Sequence, residues 1–228
     1  MSTIADNTLQ VSSRIHAATA AAGRDENSVQ LLAVSKTKPA EALREAYAAG
    51  LRDFGENYLQ EALGKQLELA DLPLIWHFIG PIQSNKTRSI AEHFAWVHSV
   101  DRLKIAQRLS EQRPADLPPL NICIQVNVSG EASKSGCTPQ DLPALAQAIS
   151  ALPRLKLRGL MAIPEPTEDR AEQDAAFAAV QRLQASLDLP LDTLSMGMSH
   201  DLESAIAQGA TWVRIGTALF GARDYSQS

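Results

Sequence analysis

Short β-branched or apolar runs alternate with longer stretches of helical periodicity along almost the whole chain, and this alternation limits the fold more than any other feature of the sequence. A strand that is followed by a helix time after time must return to lie parallel to its predecessor. After a leading helix over about Ile4 to Ala22, the first strand is Gln30 to Ser35, ending at Lys36. Pro39 suits the first turn of the next helix, whose inner face carries Leu43, Ala46 and Tyr47 and which Gly50 can stop. A weaker strand follows at Leu51 to Phe54, then a helix over about Tyr58 to Ala70 and a third strand at Leu74 to Ile79. A short helix after Asn85 leads to a fourth strand at Ala95 to His98. The clearest strand spans Leu120 to Val128. Its β-branched residues alternate with Cys123, Gln125 and Asn127, which places the two sets on opposite faces. Next come a helix with Leu142, Leu145, Ala146 and Ile149 on one stripe, a sixth strand at Leu155 to Ile163, and a long helix carrying Phe177, Val180, Leu183 and Leu187. Thr193 to Met196 is the seventh strand, Leu202, Ala205, Ile206 and Gly209 line another helix, and Thr211 to Ile215 is the eighth strand.

Eight βα steps behind one leading helix predict a closed (β/α)8 TIM-type barrel, a single α/β domain over residues 1–228. The rival, an open doubly wound sheet, usually carries a glycine-rich first βα turn, whereas this turn reads Ser35-Lys36-Thr37-Lys38-Pro39. No Pro/Gly/Ser-rich stretch reads as an interdomain linker, and 45% hydrophobic residues over 228 positions suffice for one sizeable core. The formal net charge of −5 gives no general attraction to nucleic acid or to an anionic membrane. No segment approaches the roughly twenty apolar residues needed to span a bilayer, and Asp6 and Arg14 interrupt any signal-peptide-like start. Cys123 and Cys137 are too few for a disulfide scaffold or a zinc cluster, and the histidines show no HExxH spacing. The expectation is a cytoplasmic protein without a metal site.

Barrel active sites sit at the C-terminal ends of the strands. Those ends supply Lys36, Gly55-Glu56-Asn57, His77 to Gly80, Ser99, Asn127, Met161, Ser195 to Ser199 and Arg214 to Thr217, so that polar residues converge around one amine. A reactive lysine is helped by apolar neighbours that disfavour the ammonium, and Leu32 to Val34 precede Lys36. A solvated or salt-bridged lysine fits the same position, and both readings stand. Barrels often bind phosphate with the loops after strands seven and eight and a short helix N-terminus. Here those loops hold Gly197-Met198-Ser199 and Gly216-Thr217, with glycine N–H groups and hydroxyls as donors. Taken singly, Ser199 is explained as an N-cap and Gly216 as a turn glycine; together, on adjacent strands, they favour phosphate. His77, inside an apolar strand, reads as a hydrogen-bonded core histidine. Asn127 either reaches the pocket or ties down a loop, Glu131-Ala132-Ser133-Lys134 reads as a solvated loop, and Met161, Met196 and Met198 read as packing. Arg214 faces the barrel interior if Val213 and Ile215 face the helices, and a guanidinium there needs a partner.

Several longer motifs run through the chain in order: Leu32-Ala33-Val34-Ser35-Lys36-Thr37-Lys38-Pro39, Phe54-Gly55-Glu56-Asn57-Tyr58, His77-Phe78-Ile79-Gly80, Gln83-Ser84-Asn85-Lys86, Arg158-Gly159-Leu160-Met161-Ala162-Ile163, Leu194-Ser195-Met196-Gly197-Met198-Ser199, and Val213-Arg214-Ile215-Gly216-Thr217-Ala218-Leu219-Phe220-Gly221. With these motifs the sequence closely resembles the YggS-type pyridoxal-phosphate homeostasis proteins, relatives of the N-terminal barrel of alanine racemase. The resemblance implies pyridoxal 5′-phosphate as cofactor, a Schiff base on Lys36, and phosphate near Ser199, Gly216 and Thr217. It places Arg214 near the pyridine nitrogen, and Asn57 in the second motif joins the cofactor-binding set. It also implies a role in buffering or delivering the cofactor, with pyridoxal-phosphate-dependent apo-enzymes as partners. A guanidinium is always charged and only donates hydrogen bonds, so Arg214 favours an unprotonated ring nitrogen and a weakened electron sink.

The alternative is an amino-acid racemase or related enzyme using the same cofactor. Racemases of this fold add a C-terminal β domain that donates a tyrosine across a dimer, whereas this sequence reaches only Ser228, just past the eighth strand. Racemization needs a proton donor and an acceptor on opposite faces of the ring, and beside Lys36 the sequence offers no evident second group. The expectation is therefore a monomeric carrier with no catalytic residues. A lysine-dependent aldolase of phosphorylated sugars would share the barrel and the phosphate site but would hold no coloured cofactor.

Overall fold

The computed structural model describes residues 2–132 and 135–222. Eight parallel strands close into a barrel in chain order: β1 Gln30–Val34, β2 Asp53–Glu56, β3 Ile75–Phe78, β4 Trp96–Val100, β5 Leu120–Gln125, β6 Leu155–Met161, β7 Thr193–Ser195 and β8 Trp212–Ile215. β8 returns to pair with β1, which sets Leu32 beside Arg214. The helices are α1 Ile4–Ala21, α2 Ala40–Ala48, α3 Leu59–Glu68, α4 Thr87–His93, α5 Leu103–Gln112, α6 Leu142–Ser150, α7 Arg170–Ala185, α8 Leu202–Ala207 and the single turn α9 Thr217–Phe220. This is the (β/α)8 barrel with a leading helix that the alternation predicts.

Period-two alternation divides each strand between two cores. Ala33, Phe54, Val97, Ile122 and Val213 pack outward against the helices. Leu32, Trp96, Cys123, Met161 and Trp212 form a separate cluster inside the barrel. α1 starts at a capping box: Thr3 Oγ1 accepts from the Asp6 amide, and the Thr3 amide donates to the Asp6 carboxylate. The helix lies against α2, α8 and α9, with Arg14 ion-paired to Glu203 at 2.8 Å.

The structure differs from the sequence reading at three places, two of them with local causes. β2 begins at Asp53, not Leu51, because Leu51 is used to end α2. Gly50 stands at φ +104°, its amide donates to the Tyr47 carbonyl, and the Leu51 amide donates to the Ala46 carbonyl. That pair of bonds closes the helix as a Schellman motif and delays the strand by two residues. β5 stops at Gln125: the Val126 amide still donates to the Met161 carbonyl, but Val126 then bridges Cys137 and the Asn127 amide donates to the Cys137 carbonyl. α5 was passed over in the sequence, although Ile105, Ala106 and Leu109 form its buried stripe. Among the described residues no helix is long and apolar enough to cross a membrane, and no group of three His, Cys, Asp or Glu side chains could hold a metal.

Candidate functional site

A cavity of about 230 Å³ opens at the C-terminal ends of the strands. Val34 enters its wall from the end of β1 and Lys36 from the turn after it, Asn57 after β2, Ile79 after β3 and Ile163 after β6. Met198, Ser199 and His200 come from the loop after β7, and Arg214, Gly216 and Thr217 from β8 and the turn beyond it. All six residues singled out in the sequence (Lys36, Asn57, Ser199, Arg214, Gly216 and Thr217) therefore share one cavity.

The turn that carries Lys36 is braced from the helix side. Thr37 stands at φ +64°, an uncommon conformation for a β-branched residue. Its amide donates to Glu61 Oε1 at 2.6 Å, and the Lys38 amide donates to the Ser35 carbonyl at 3.0 Å. Beneath them Lys65 Nζ donates to the Ser35 carbonyl and to Glu56 Oε1, both at 2.7 Å, and to Glu61 Oε1 at 2.6 Å. Ser35 Oγ donates to the same Glu56 oxygen at 2.7 Å. Glu56 is fully buried, and burial pushes its carboxyl above the usual range while Lys65 and Ser35 pull it down. Sequence reasoning missed this brace. Its signal is a lysine in register with Leu59 and Ala62 on the buried stripe of α3, a place where a lysine persists only if paired.

The opposite wall is built from the loops after β7 and β8. Gly197 stands at φ +97°, and a Cβ there would come within 2.5 Å of the Ala205 Cβ, so glycine lets α8 pack against the loop. Ser199 is not an N-cap; Asp201 holds that position for α8. The Ser199 carbonyl accepts from Arg14 Nη2 at 2.9 Å, which ties the loop to α1. Gly216 is not a left-handed turn glycine. Its φ is −116° and a Cβ would only touch Val34 at 3.4 Å. Neither strain nor packing asks for glycine there, and Gly216 lies on the cavity wall. The far end of α9 is clamped by Lys38 Nζ, which donates to the carbonyls of Phe220, Gly221 and Ala222, and by Asn7 Nδ2, which donates to that of Leu219. Lys38 thus turns away from the cavity wall.

Arg214 is 5% exposed, and its neighbours Val213 and Ile215 face the helices as the alternation predicts. Its Nη1 donates to Ser195 Oγ at 2.9 Å and its Nη2 to the Ala162 carbonyl at 3.0 Å. Burial draws the guanidinium down to about 10, with Asp201 opposing. The partner demanded by the sequence is thus a hydroxyl and a carbonyl; among the described residues no carboxylate lies within ion-pair distance. Asn57 Oδ1 is buried on the cavity wall with no hydrogen-bond partner. Gly80 allows the neighbouring loop to lie this close, since a Cβ there would approach the Asn57 carbonyl to 2.5 Å.

The remaining expectations divide. His77 is a buried, hydrogen-bonded histidine, as read from its strand. Asn127 ties down its own loop, accepting from Ser129 and donating to the Glu131 carbonyl; Ser133 and Lys134 lie outside the described residues. Met161 and Met196 pack in the two cores, but Met198 lines the cavity, as do Ile79, Ile163 and His200. The three apolar ones were not assigned from sequence, because an apolar side chain at a strand end has the same pattern whether it packs or borders a ligand, and His200 carried no motif that set it apart. An amine, a guanidinium, two hydroxyls and a glycine amide on apolar walls can receive an aldehyde that carries an anionic group. The orphaned Asn57 oxygen supplies an unused acceptor, so these residues fit pyridoxal 5′-phosphate.

Comparisons with known proteins agree with this geometry. Residues 9–224 match the family described as the N-terminal domain of alanine racemase. A pyridoxal phosphate homeostasis protein from Pseudomonas aeruginosa is 78% identical over 225 residues, spanning 99% of this chain and 98% of the relative. The structure of PipY from Synechococcus elongatus without pyridoxal phosphate superposes with a TM-score of 0.86 at 44% identity, over 96% of this chain and 100% of that one. PipY with pyridoxal phosphate bound gives a TM-score of 0.80 at 46% identity, over 91% of this chain and 100% of that one.

Proposed function

The chain belongs to the family of pyridoxal phosphate homeostasis proteins, within the wider family of the alanine racemase N-terminal domain, and from that premise we propose that it binds pyridoxal 5′-phosphate and serves in homeostasis of the cofactor, with the residues of the barrel cavity as its binding set. The convergence of Lys36, Arg214, Ser199, Gly216, Thr217 and the unpartnered Asn57 oxygen on one cavity carries this reading. Lys36 takes the aldehyde as a Schiff base; Ser199, Thr217 and the Gly216 amide hold the phosphate; Arg214 donates to the ring nitrogen; Asn57 accepts from the ring substituents. The apolar side chains of Val34, Ile79, Ile163 and Met198 border the ring. Ser199→Ala combined with Thr217→Ala tests the phosphate assignment. Each hydrogen bond to a charged group contributes about 1.5–3 kcal/mol, or roughly tenfold or more in affinity. The double variant should lose pyridoxal 5′-phosphate affinity while binding of unphosphorylated pyridoxal stays unchanged. Equal losses for both ligands would mean that the two hydroxyls only support the fold.

The carrier reading extends to catalysis, partners and location. Racemization needs groups on both faces of the ring. Besides Lys36, the wall carries an imidazole, His200, which is about half exposed and sits 3.4 Å from Asp201. An open, hydrated imidazole shields a carbanion poorly. The loaded protein should therefore racemize alanine, serine or glutamate no faster than free cofactor, as read by chiral analysis after long incubation. Multiple turnovers lost in Lys36→Ala would promote the racemase alternative. Ile163, on the cavity wall, and Tyr58, next in sequence to Asn57, are both exposed and offer apolar surface beside the site to pyridoxal-phosphate-dependent apo-enzymes as partners. The other large exposed hydrophobics, such as Leu9, Leu67 and Leu117, stand on different elements, which supports a monomer. Two free, buried cysteines suit a reducing cytoplasm.

A further inference from the structure

Four polar side chains stand end to end inside the barrel, in positions that a barrel of this kind usually fills with branched aliphatic residues. Asp53 Oδ1 lies 2.9 Å from His77 Nε2, His77 Nδ1 lies 2.9 Å from His98 Nε2, and His98 Nδ1 lies 2.7 Å from Ser195 Oγ. Ser195 Oγ in turn accepts from Arg214 Nη1 at 2.9 Å. The chain enters at the first residue of β2, where the Asp53 side chain is 22% exposed, and crosses β3, β4 and β7 to reach the cavity wall on β8. His77, His98 and Ser195 are fully buried. Trp96 stacks on His77 with ring centroids 5.5 Å apart, and Trp212 meets the same ring edge-on at 4.9 Å.

The two ends of this chain decide its direction. A guanidinium has donors and no acceptor, and a carboxylate has acceptors and no donor. Asp53 accepts from His77 Nε2–H; with neutral imidazoles His77 Nδ1 then accepts from His98 Nε2–H, and His98 Nδ1 accepts the hydrogen of Ser195 Oγ, which itself accepts from Arg214. Each contact along the row then has one donor and one acceptor. Burial lowers both histidines, His98 the further because His77 and Arg214 also act on it, and the neighbouring Cys123 thiol is raised to about 12 by the same dry surroundings. In such an interior each hydrogen bond polarises the next.

We propose that Asp53, His77, His98 and Ser195 are positioning residues that orient the buried Arg214 guanidinium and couple it to a carboxylate at the far mouth of the barrel, and so set the preference of the cavity for a ring with an acceptor nitrogen. The proposal rests on the assignment of Arg214 to that nitrogen. It also accounts for a buried guanidinium whose side-chain partner is a hydroxyl, while Asp201 is the carboxylate that acts on it through space. The relay is not a proton wire, because Arg214 keeps its proton.

The test has two arms. In the protein without ligand, 15N-resolved imidazole spectra at neutral pH should show His77 and His98 as neutral Nε2–H tautomers. An Nδ1–H tautomer or an imidazolium at either residue overturns the relay regardless of what the cavity binds. In the second arm, affinities are measured for pyridoxal 5′-phosphate and for the carbocyclic analogue in which C–H replaces the ring nitrogen. Ser195→Ala and His98→Phe should cut the preference for the nitrogen ring about tenfold, the scale of one hydrogen bond involving a charged group, while affinity for the carbocyclic ring holds. Ser195→Thr, which keeps the hydroxyl, should retain the preference. Asp53→Asn, at the opposite end of the barrel, should reduce it in the same direction by less. An unchanged preference in Asp53→Asn or in Ser195→Ala, with the wild type binding both rings, refutes the coupling. A wild type that binds neither ring refutes the cofactor reading instead, and the tautomer arm then stands by itself.

Discussion

Borohydride reduction of the protein loaded with pyridoxal 5′-phosphate is expected to attach the cofactor permanently to Lys36, and Lys36→Ala is expected to abolish most of the stable adduct. Lys36 stands in the turn two residues after β1, lies on the cavity wall and follows the apolar run Leu32 to Val34. Lys38 is the nearest competitor in sequence, but three carbonyls at the end of α9 hold its ammonium. An amine must be free of such contacts to approach an aldehyde, and here three hydrogen bonds hold it at the far end of α9. Any adduct on Lys38 in the Lys36→Ala variant would first have to leave that clamp. Peptide mapping of the reduced wild-type protein decides the matter: a major adduct on Lys38, Lys86 or Lys134 would sink the Lys36 assignment.

Lys65→Met should be among the most destabilising single substitutions in the chain. Lys65 is the cation bonded to Glu56, and both are buried between β2 and α3. Removing one partner of a buried ion pair costs about 3–5 kcal/mol, because the other is left uncompensated. Glu56 already has one oxygen without a hydrogen-bond partner, so it has no reserve of donors. The loss should depend on pH, with a sign set by the raised Glu56 carboxyl. In the variant the folded protein retains the Glu56 proton at pH values where the unfolded chain, near the ordinary 4.5, has released it. The folded state then binds more protons than the unfolded one, so stability falls as pH rises. The variant should be closest to wild type below about pH 4.5 and lose ground as pH rises through the folded-state value. Adding Glu56→Gln to Lys65→Met should recover part of the loss near neutrality. Denaturant unfolding at several pH values reads all of this. A small loss, or one independent of pH, would show that Glu56 finds another partner when Lys65 is absent.

Much of the fold was open to inspection in the chain itself. Strand and helix differ in period, two against 3.6, and Gly50 and Pro39 punctuate the passage between them. The same period two turned Arg214 inward on the evidence of Val213 and Ile215 alone. Local signals failed where two roles compete for one residue. Leu51 is apolar enough to begin a strand, yet the end of α2 claims it as the residue after a left-handed glycine. α5 carries an ordinary amphipathic stripe of Ile105, Ala106 and Leu109, a signal present in the sequence itself.

For the site, the sequence by itself determined which residues stand at strand ends, and hence that Lys36, Asn57, Ser199, Arg214, Gly216 and Thr217 meet at one mouth of the barrel. A closed barrel of parallel strands leaves no other arrangement, because every strand end points the same way. Only the tertiary structure decided what stands behind them. The brace from Lys65 to the Lys36 turn joins α3 to β1 across 30 residues, and the relay behind Arg214 joins Asp53 to Ser195 across four strands. Periodicity reports which face a side chain occupies and nothing about its neighbour on another strand. A lysine, a histidine or an aspartate on a buried face reads in sequence as an isolated liability, and closure of the barrel supplies the partner that makes its burial tolerable.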